Sequence, residues 1–124
     1  METYMGFWVG PNNGKNFFLM QILTAKQDKI SGIIEDRFGE SVFDGKLTKT
    51  LVEFSKYMLD AEKGVINQAI FYRGKKEDMG KIYLGKYTDV RIKNPDCREN
   101  MFVIEPYDPS IIQFLKKHIP CLKI

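Results

Sequence analysis

Alternation of apolar and polar residues with a period of two, broken by turn-forming residues, recurs from the start of the chain to about residue 106. No other feature restricts the fold as strongly, because only an extended strand sends successive side chains to opposite faces. "TYMGFWVG" is followed by Pro11, Asn12, Asn13 and Gly14, and "NFFLMQILTA" then reads as a second strand. "KISGIIED" puts Ile30, Gly32 and Ile34 on one face and Ser31, Ile33 and Glu35 on the other. After a turn around Phe38 and Gly39 comes "ESVFDG". In "TKTLVEFSKYML" a helix competes, since Leu51, Phe54, Met58 and Leu59 also fit helical spacing. The density of β-branched and aromatic residues favours strand, with Val52, Phe54, Lys56 and Met58 on one side and Leu51, Glu53, Ser55 and Tyr57 on the other. "GVINQAIFYRG", "MGKIYLGKYTDV" and "ENMFVIEPY" complete the series.

Eight successive strands with short connections leave two exposed sheet edges unless the sheet closes on itself. The expected fold is therefore mainly β, an eight-stranded antiparallel up-and-down β-barrel, with Gly32, Gly80 and Gly85 as candidate bulges or tight bends. A chain of 124 residues suits one domain, 1–124, able to bury roughly two thirds of its extended surface without disulfide or metal. The tail differs. Asp108 can cap a helix, Pro109 suits its first position, and "SIIQFLKKH" carries Ile111, Ile112, Phe114 and Leu115 before Pro120 stops it. This predicts a helix over about 108–118, with Lys116, Lys117 and His118 complementing its end. So short a helix is marginal alone and must be pinned to the barrel or a partner, with the tail 119–124 packed on it.

With Gly6-Phe7-Trp8 in the first strand, the chain resembles the calycin superfamily, the small barrels that include lipocalins, fatty-acid-binding proteins and avidins. These residues match the glycine-x-tryptophan motif of lipocalins and avidins, and the resemblance implies that Gly6 and Trp8 are structural, with the tryptophan packed at the closed end. Thr88-Asp89-Val90 partly matches the lipocalin threonine-aspartate-tyrosine motif, with valine in place of tyrosine, and Arg98 is the only candidate for the arginine that in lipocalins packs over the tryptophan. The polar residue set with which avidins hold biotin is absent.

Several chemistries are disfavoured. The single histidine, His118, falls at a helix end, which rules out a nucleophilic triad and starves a zinc site of ligands. Glycines occur singly in turns rather than as a phosphate-cradling loop, and no cofactor is implied. Cys97 and Cys121 are distant and are expected as free thiols. The start "METYMGFWVG" lacks the pattern of a signal peptide and no stretch approaches a membrane-spanning length, so the expected location is the cytoplasm. A net charge of +3, with acidic residues mixed among the lysines, provides short basic clusters at Arg73, Lys75 and Lys76 and at Lys116 and Lys117 but no basic stripe, which disfavours nucleic acid.

What remains is the barrel's inside. Phe18, Met20, Phe54, Phe71 and Tyr83 are candidates for an apolar lining. For the converging polar groups, one register takes Glu53, Ser55 and Tyr57 with Asn67; the opposite register takes Lys56, Gln68 and Tyr72. Three functions compete. The first is noncatalytic binding of a small, largely apolar ligand. The second is a filled barrel serving as a dimerising or protein-interaction module through Phe7, the tail helix or "CLKI", with a homodimer as the simplest partner. The third is a small-molecule enzyme using carboxylates among Glu35, Asp36, Glu53 and Glu105; no catalytic pair is identifiable, so a non-enzymatic role is favoured.

Overall fold

In the computed structural model, which describes residues 2–10, 14–60, 64–78, 80–89, 100–120 and 122, with the side chains of 60, 64–68 and 89 left outside, eight strands form one closed antiparallel barrel. They are β1 (Thr3–Val9), β2 (Lys15–Lys26), β3 (Lys29–Asp36), β4 (Gly39–Leu47), β5 (Leu51–Asp60), β6 (Gly64–Lys76), β7 (Tyr83–Asp89) and β8 (Met101–Pro106). Each strand pairs with its neighbours in chain order. Closure comes from β1 against β8, with Tyr4 opposite Pro106 and Trp8 opposite Phe102. The architecture is consistent with the calycin-like barrels.

The alternation explains which face turns inward. Phe18, Met20 and Ile22 of β2, Val52 and Phe54 of β5, Ile70 and Tyr72 of β6, and Phe102 and Ile104 of β8 all join one buried cluster. Its centre is aromatic. Phe54 stacks on Tyr72 at 4.5 Å, and Phe102 meets both edge to face. Such pairs contribute about 0.5–1.5 kcal/mol each beyond the area they bury. With eight strands, side chains of this size are sufficient to fill the middle of a barrel.

The tail begins as a 3₁₀ turn (Pro109–Ile111) and continues as α1 (Ile112–His118). Asp108 accepts the Ser110 N–H at 2.9 Å, a bond that also holds the Asp108 carboxyl below its ordinary pKa. The helix lies on the outer face of β1 and β2, where Leu115 and Ile119 are buried with Met5 and Leu19. It is thus pinned to the barrel, and Leu122 packs against the same cluster.

Two boundaries differ from the sequence pattern. β7 starts at Tyr83 rather than near Met79, because Glu77 N–H bonds the Ile82 carbonyl at 3.0 Å and closes a turn first. Gly80 accordingly belongs to this turn and not to a strand. The β3–β4 turn is Arg37–Phe38, and Gly39 already belongs to β4. Cys97, Arg98 and Cys121 lie outside the described residues.

Gly6 shows why the first strand tolerates only glycine there. A Cβ at this position would collide with the Val103 carbonyl on β8 and press on the Phe18 ring at 3.0 Å. Gly6→Ala is expected to lower stability by about 1–3 kcal/mol, read as a lower urea midpoint at unchanged m. Gly14→Ala, where a Cβ meets nothing within 4 Å, should stay within about 0.5 kcal/mol. Equal midpoints for the two variants would refute the close approach at Gly6.

Candidate functional site

The inside of the barrel has three levels. At the end where β1 and β3 finish, polar groups are buried: Asn16, Asp36, Ser41, Lys56 and Asn100. Lys56 reaches this level because it shares the inward face of β5 with Phe54, and a buried ammonium needs a counter-charge. Asp36 supplies it. Its Oδ2 lies 3.3 Å from Lys56 Nζ with both side chains 3% exposed, and its Oδ1 accepts the Phe38 N–H at 2.9 Å. One carboxylate therefore neutralises a lysine of β5 and fixes the β3–β4 turn. The Lys56 ammonium also sits 5.8 Å from the Trp8 ring and 5.7 Å from the Tyr72 ring. Tyr87 donates its hydroxyl to the Val9 carbonyl at 2.6 Å, and Asn16 donates to the Gly14 carbonyl at 3.3 Å. Trp8 stacks on Phe38, and its buried Nε1 has no hydrogen-bond partner among the described residues.

The middle level is the aromatic packing. The third level, at the opposite end, is open: a cavity of about 700 Å³ occupies the barrel mouth, within the size range of small-molecule sites. Its walls include Tyr4, Ile22, Ile30, Leu47 and Tyr83, and its rim carries Glu2, Gln27, Asp28, Thr48, Lys49 and Lys76. Tyr83 donates its hydroxyl to the Thr48 carbonyl at 2.6 Å, tying the start of β7 to the β4–β5 connection. Tyr4 donates to Glu2 Oε2 at 2.9 Å. Burial, and then the nearby Glu2 carboxylate, push the Tyr83 hydroxyl above its ordinary pKa of 10.0, and burial with the Glu2 hydrogen bond raises Tyr4 further. Both hydroxyls remain protonated donors.

Of the residues singled out in the sequence, Phe18, Met20 and Phe54 belong to the packed core and Tyr83 to the cavity wall. Lys56 and Tyr72 are buried inside. Glu53, Tyr57 and Phe71 occupy the outer face, so their expected inward placement does not hold: closure turns the face of β5 and β6 that carries Phe54 and Tyr72 inward, and alternation sends their neighbours out. Phe71 is 42% exposed, and Glu53 pairs with Arg73 at 3.2 Å. The side chains of Asn67 and Gln68 lie outside the description. Tyr4, Ile22, Ile30 and Leu47 were not singled out as site residues; their signal was position at strand ends that meet at one rim.

Glu35, Asp36, Glu53 and Glu105 are all absent from the cavity lining. Among the described residues no group of three or more histidine, cysteine, aspartate or glutamate side chains can hold a metal ion, and no helix is long and apolar enough to cross a membrane. No family model, curated protein or solved structure matches the chain.

Lys56→Met leaves Asp36 buried without its main counter-charge and should cost about 3–5 kcal/mol. Adding Asp36→Asn, which keeps an acceptor for Phe38, should recover most of that loss; a double-mutant cycle by urea unfolding that finds the two effects additive would refute the coupling. A second expectation concerns pH. The folded state holds the Tyr4 and Tyr83 protons more tightly than the unfolded chain, so this contribution is complete below about pH 10 and lost as pH rises toward the folded pKa values. Tyr83→Phe should flatten the alkaline decline in unfolding free energy; an unchanged decline would contradict it.

Proposed function

We propose that the protein is a noncatalytic binding barrel that takes a small, largely apolar compound into its mouth. The observation that carries this reading is the cavity of about 700 Å³ walled by Tyr4, Ile22, Ile30, Leu47 and Tyr83 above the packed aromatic centre. Apolar walls supply most of the affinity of such a site, and a few polar groups orient the ligand. Here the orienting groups are those of the rim, with Glu2 and Asp28 balanced by Lys49 and Lys76, which suits a compound with an apolar body and an uncharged polar end. The four strand carboxylates Glu35, Asp36, Glu53 and Glu105 do not line the cavity, which removes the acid-base candidates read from the sequence. The glycine-x-tryptophan match at Gly6 and Trp8 supports a lipocalin-like relationship, and a cytoplasmic location belongs to the same reading.

A second reading has the filled centre and the outer surface as its support. Phe71, Leu59 and Met101 are exposed, and Phe71 and Leu84 line a shallow groove on β6 and β7 with Arg73, Lys75 and Lys86. On this reading the barrel is a scaffold for a protein contact, a second copy being the simplest.

The two readings separate with a neutral apolar dye, Nile red, followed by fluorescence. Binding at the mouth should weaken by about tenfold or more in Ile22→Trp, which fills the cavity, and stay unchanged in Phe71→Ala. Loss in Phe71→Ala with no effect of Ile22→Trp would overturn the mouth as the site and favour the outer surface.

A further inference from the structure

A second cleft, of about 280 Å³, lies at the other end of the barrel, on the outside. Three elements build it: the start of β2 contributes Lys15, Asn16 and Phe17, the β3–β4 turn contributes Arg37, and the end of α1 contributes Lys117 and His118, followed by Pro120. The burial of Leu115 and Ile119 against Leu19 lays the helix end over β2, which brings these residues together. Among the described residues no acidic side chain lines the cleft.

Among the described residues Lys56 pairs with Asp36 and Arg73 with Glu53, and neither of these pairs uses Lys15, Arg37 or Lys117, so neither offsets the positive charge of the cleft. Lys15 and Arg37 are instead held against aromatic faces, Lys15 Nζ 4.7 Å from the Phe7 ring centre and the Arg37 guanidinium 5.0 Å from that of Phe38. A ring contact positions a cation without neutralising it. The neighbouring Asp36 pairs with Lys56 inside the barrel. The end of α1 presents carbonyl oxygens, so the attraction for an anion comes from the side chains of Lys15, Arg37 and Lys117. Phe17 forms an aromatic wall with Phe114 at 4.9 Å and His118 at 4.8 Å.

From this geometry we infer that the cleft binds a phosphate group, either free phosphate or a phosphate monoester. Three cations arriving from three elements suit a compact anion with several oxygens and more than one charge, and arginine's planar fork matches such an anion with two donors. The volume fits the group itself rather than a drug-sized molecule. The cleft and the mouth lie at opposite ends, so this inference does not rest on the proposed function.

The test is a titration of the full chain with inorganic phosphate and, separately, with phenyl phosphate, followed by amide chemical shifts at low ionic strength. Saturable binding is expected, with shifts confined to β2's start, the β3–β4 turn and α1's end, and weakening as salt rises. Arg37→Gln and the double variant Lys15→Gln/Lys117→Gln should each weaken it by about tenfold or more, while Lys86→Gln on the far outer face leaves it unchanged. Their urea midpoints check that folding is intact. Tighter binding of phenyl phosphate assigns the site to a monoester with its ring on Phe17; equal binding assigns it to free phosphate. No saturable binding of either compound, or equal weakening by Lys86→Gln, would overturn the inference.

Discussion

The Asp36–Lys56 pair governs how this barrel can close. Once Val52 and Phe54 face inward, Lys56 must follow them, because residues two apart on a strand share a face. An unpaired ammonium inside a barrel is costly enough to reverse that choice. The pair on Asp36 removes the conflict and at the same time anchors the turn between β3 and β4. That turn carries Phe38 onto Trp8 and Arg37 onto the Phe38 ring, so one carboxylate links the buried lysine to the aromatic contacts at this end.

A consequence is that the polar and apolar parts of the interior are segregated along the barrel axis. Hydrogen-bonded groups gather where Trp8, Asn16, Asp36 and Lys56 meet, aromatic rings fill the centre, and aliphatic side chains with two tyrosines line the open mouth. Lys56 spans the first boundary, with its ammonium near the faces of Trp8 and Tyr72. Tyr83 and Tyr4 mark the second boundary, each with its ring in the walls and its hydroxyl bonded at the rim. This is the usual economy of tyrosine, apolar body inward and polar tip toward water.

Much of the fold was legible because β-sheet alternation is a local property. The eight strands, the turn-rich breaks and the capped tail helix each follow from neighbouring residues, as Asp108 and Pro109 illustrate. The choice between Glu53–Tyr57 and Lys56–Tyr72 as the inward set was not local. Both faces of β5 carry apolar and polar residues, and only closure against β4 and β6 decides between them. Burying Lys56 requires a counter-charge, and the compensating Asp36 stands 20 residues away in the chain. The cavity was hidden for the same reason: Tyr4, Ile22, Ile30, Leu47 and Tyr83 come from five strands and meet only at the rim.

The packed centre also constrains how the two ends can communicate. Ile22 and Ile30 line the mouth, and Phe18, Phe54, Tyr72 and Phe102 belong to the packed cluster beyond them. Dense interiors transmit displacement but do not admit a second molecule. The strands themselves are the remaining link, since β2 carries Ile22 at the mouth and Lys15 and Phe17 at the basic cleft. The pairing with β3 is irregular between Ile22 and Thr24; below it β3 pairs with Phe18 to Ile22 and β1 with Lys15 to Gln21, so Phe18 to Gln21 is paired on both sides. A shift at the mouth would therefore have to move a ladder paired on both sides before it reached the cleft. That mechanical cost separates the mouth from the cleft, so a change at one end is not expected to reach the other.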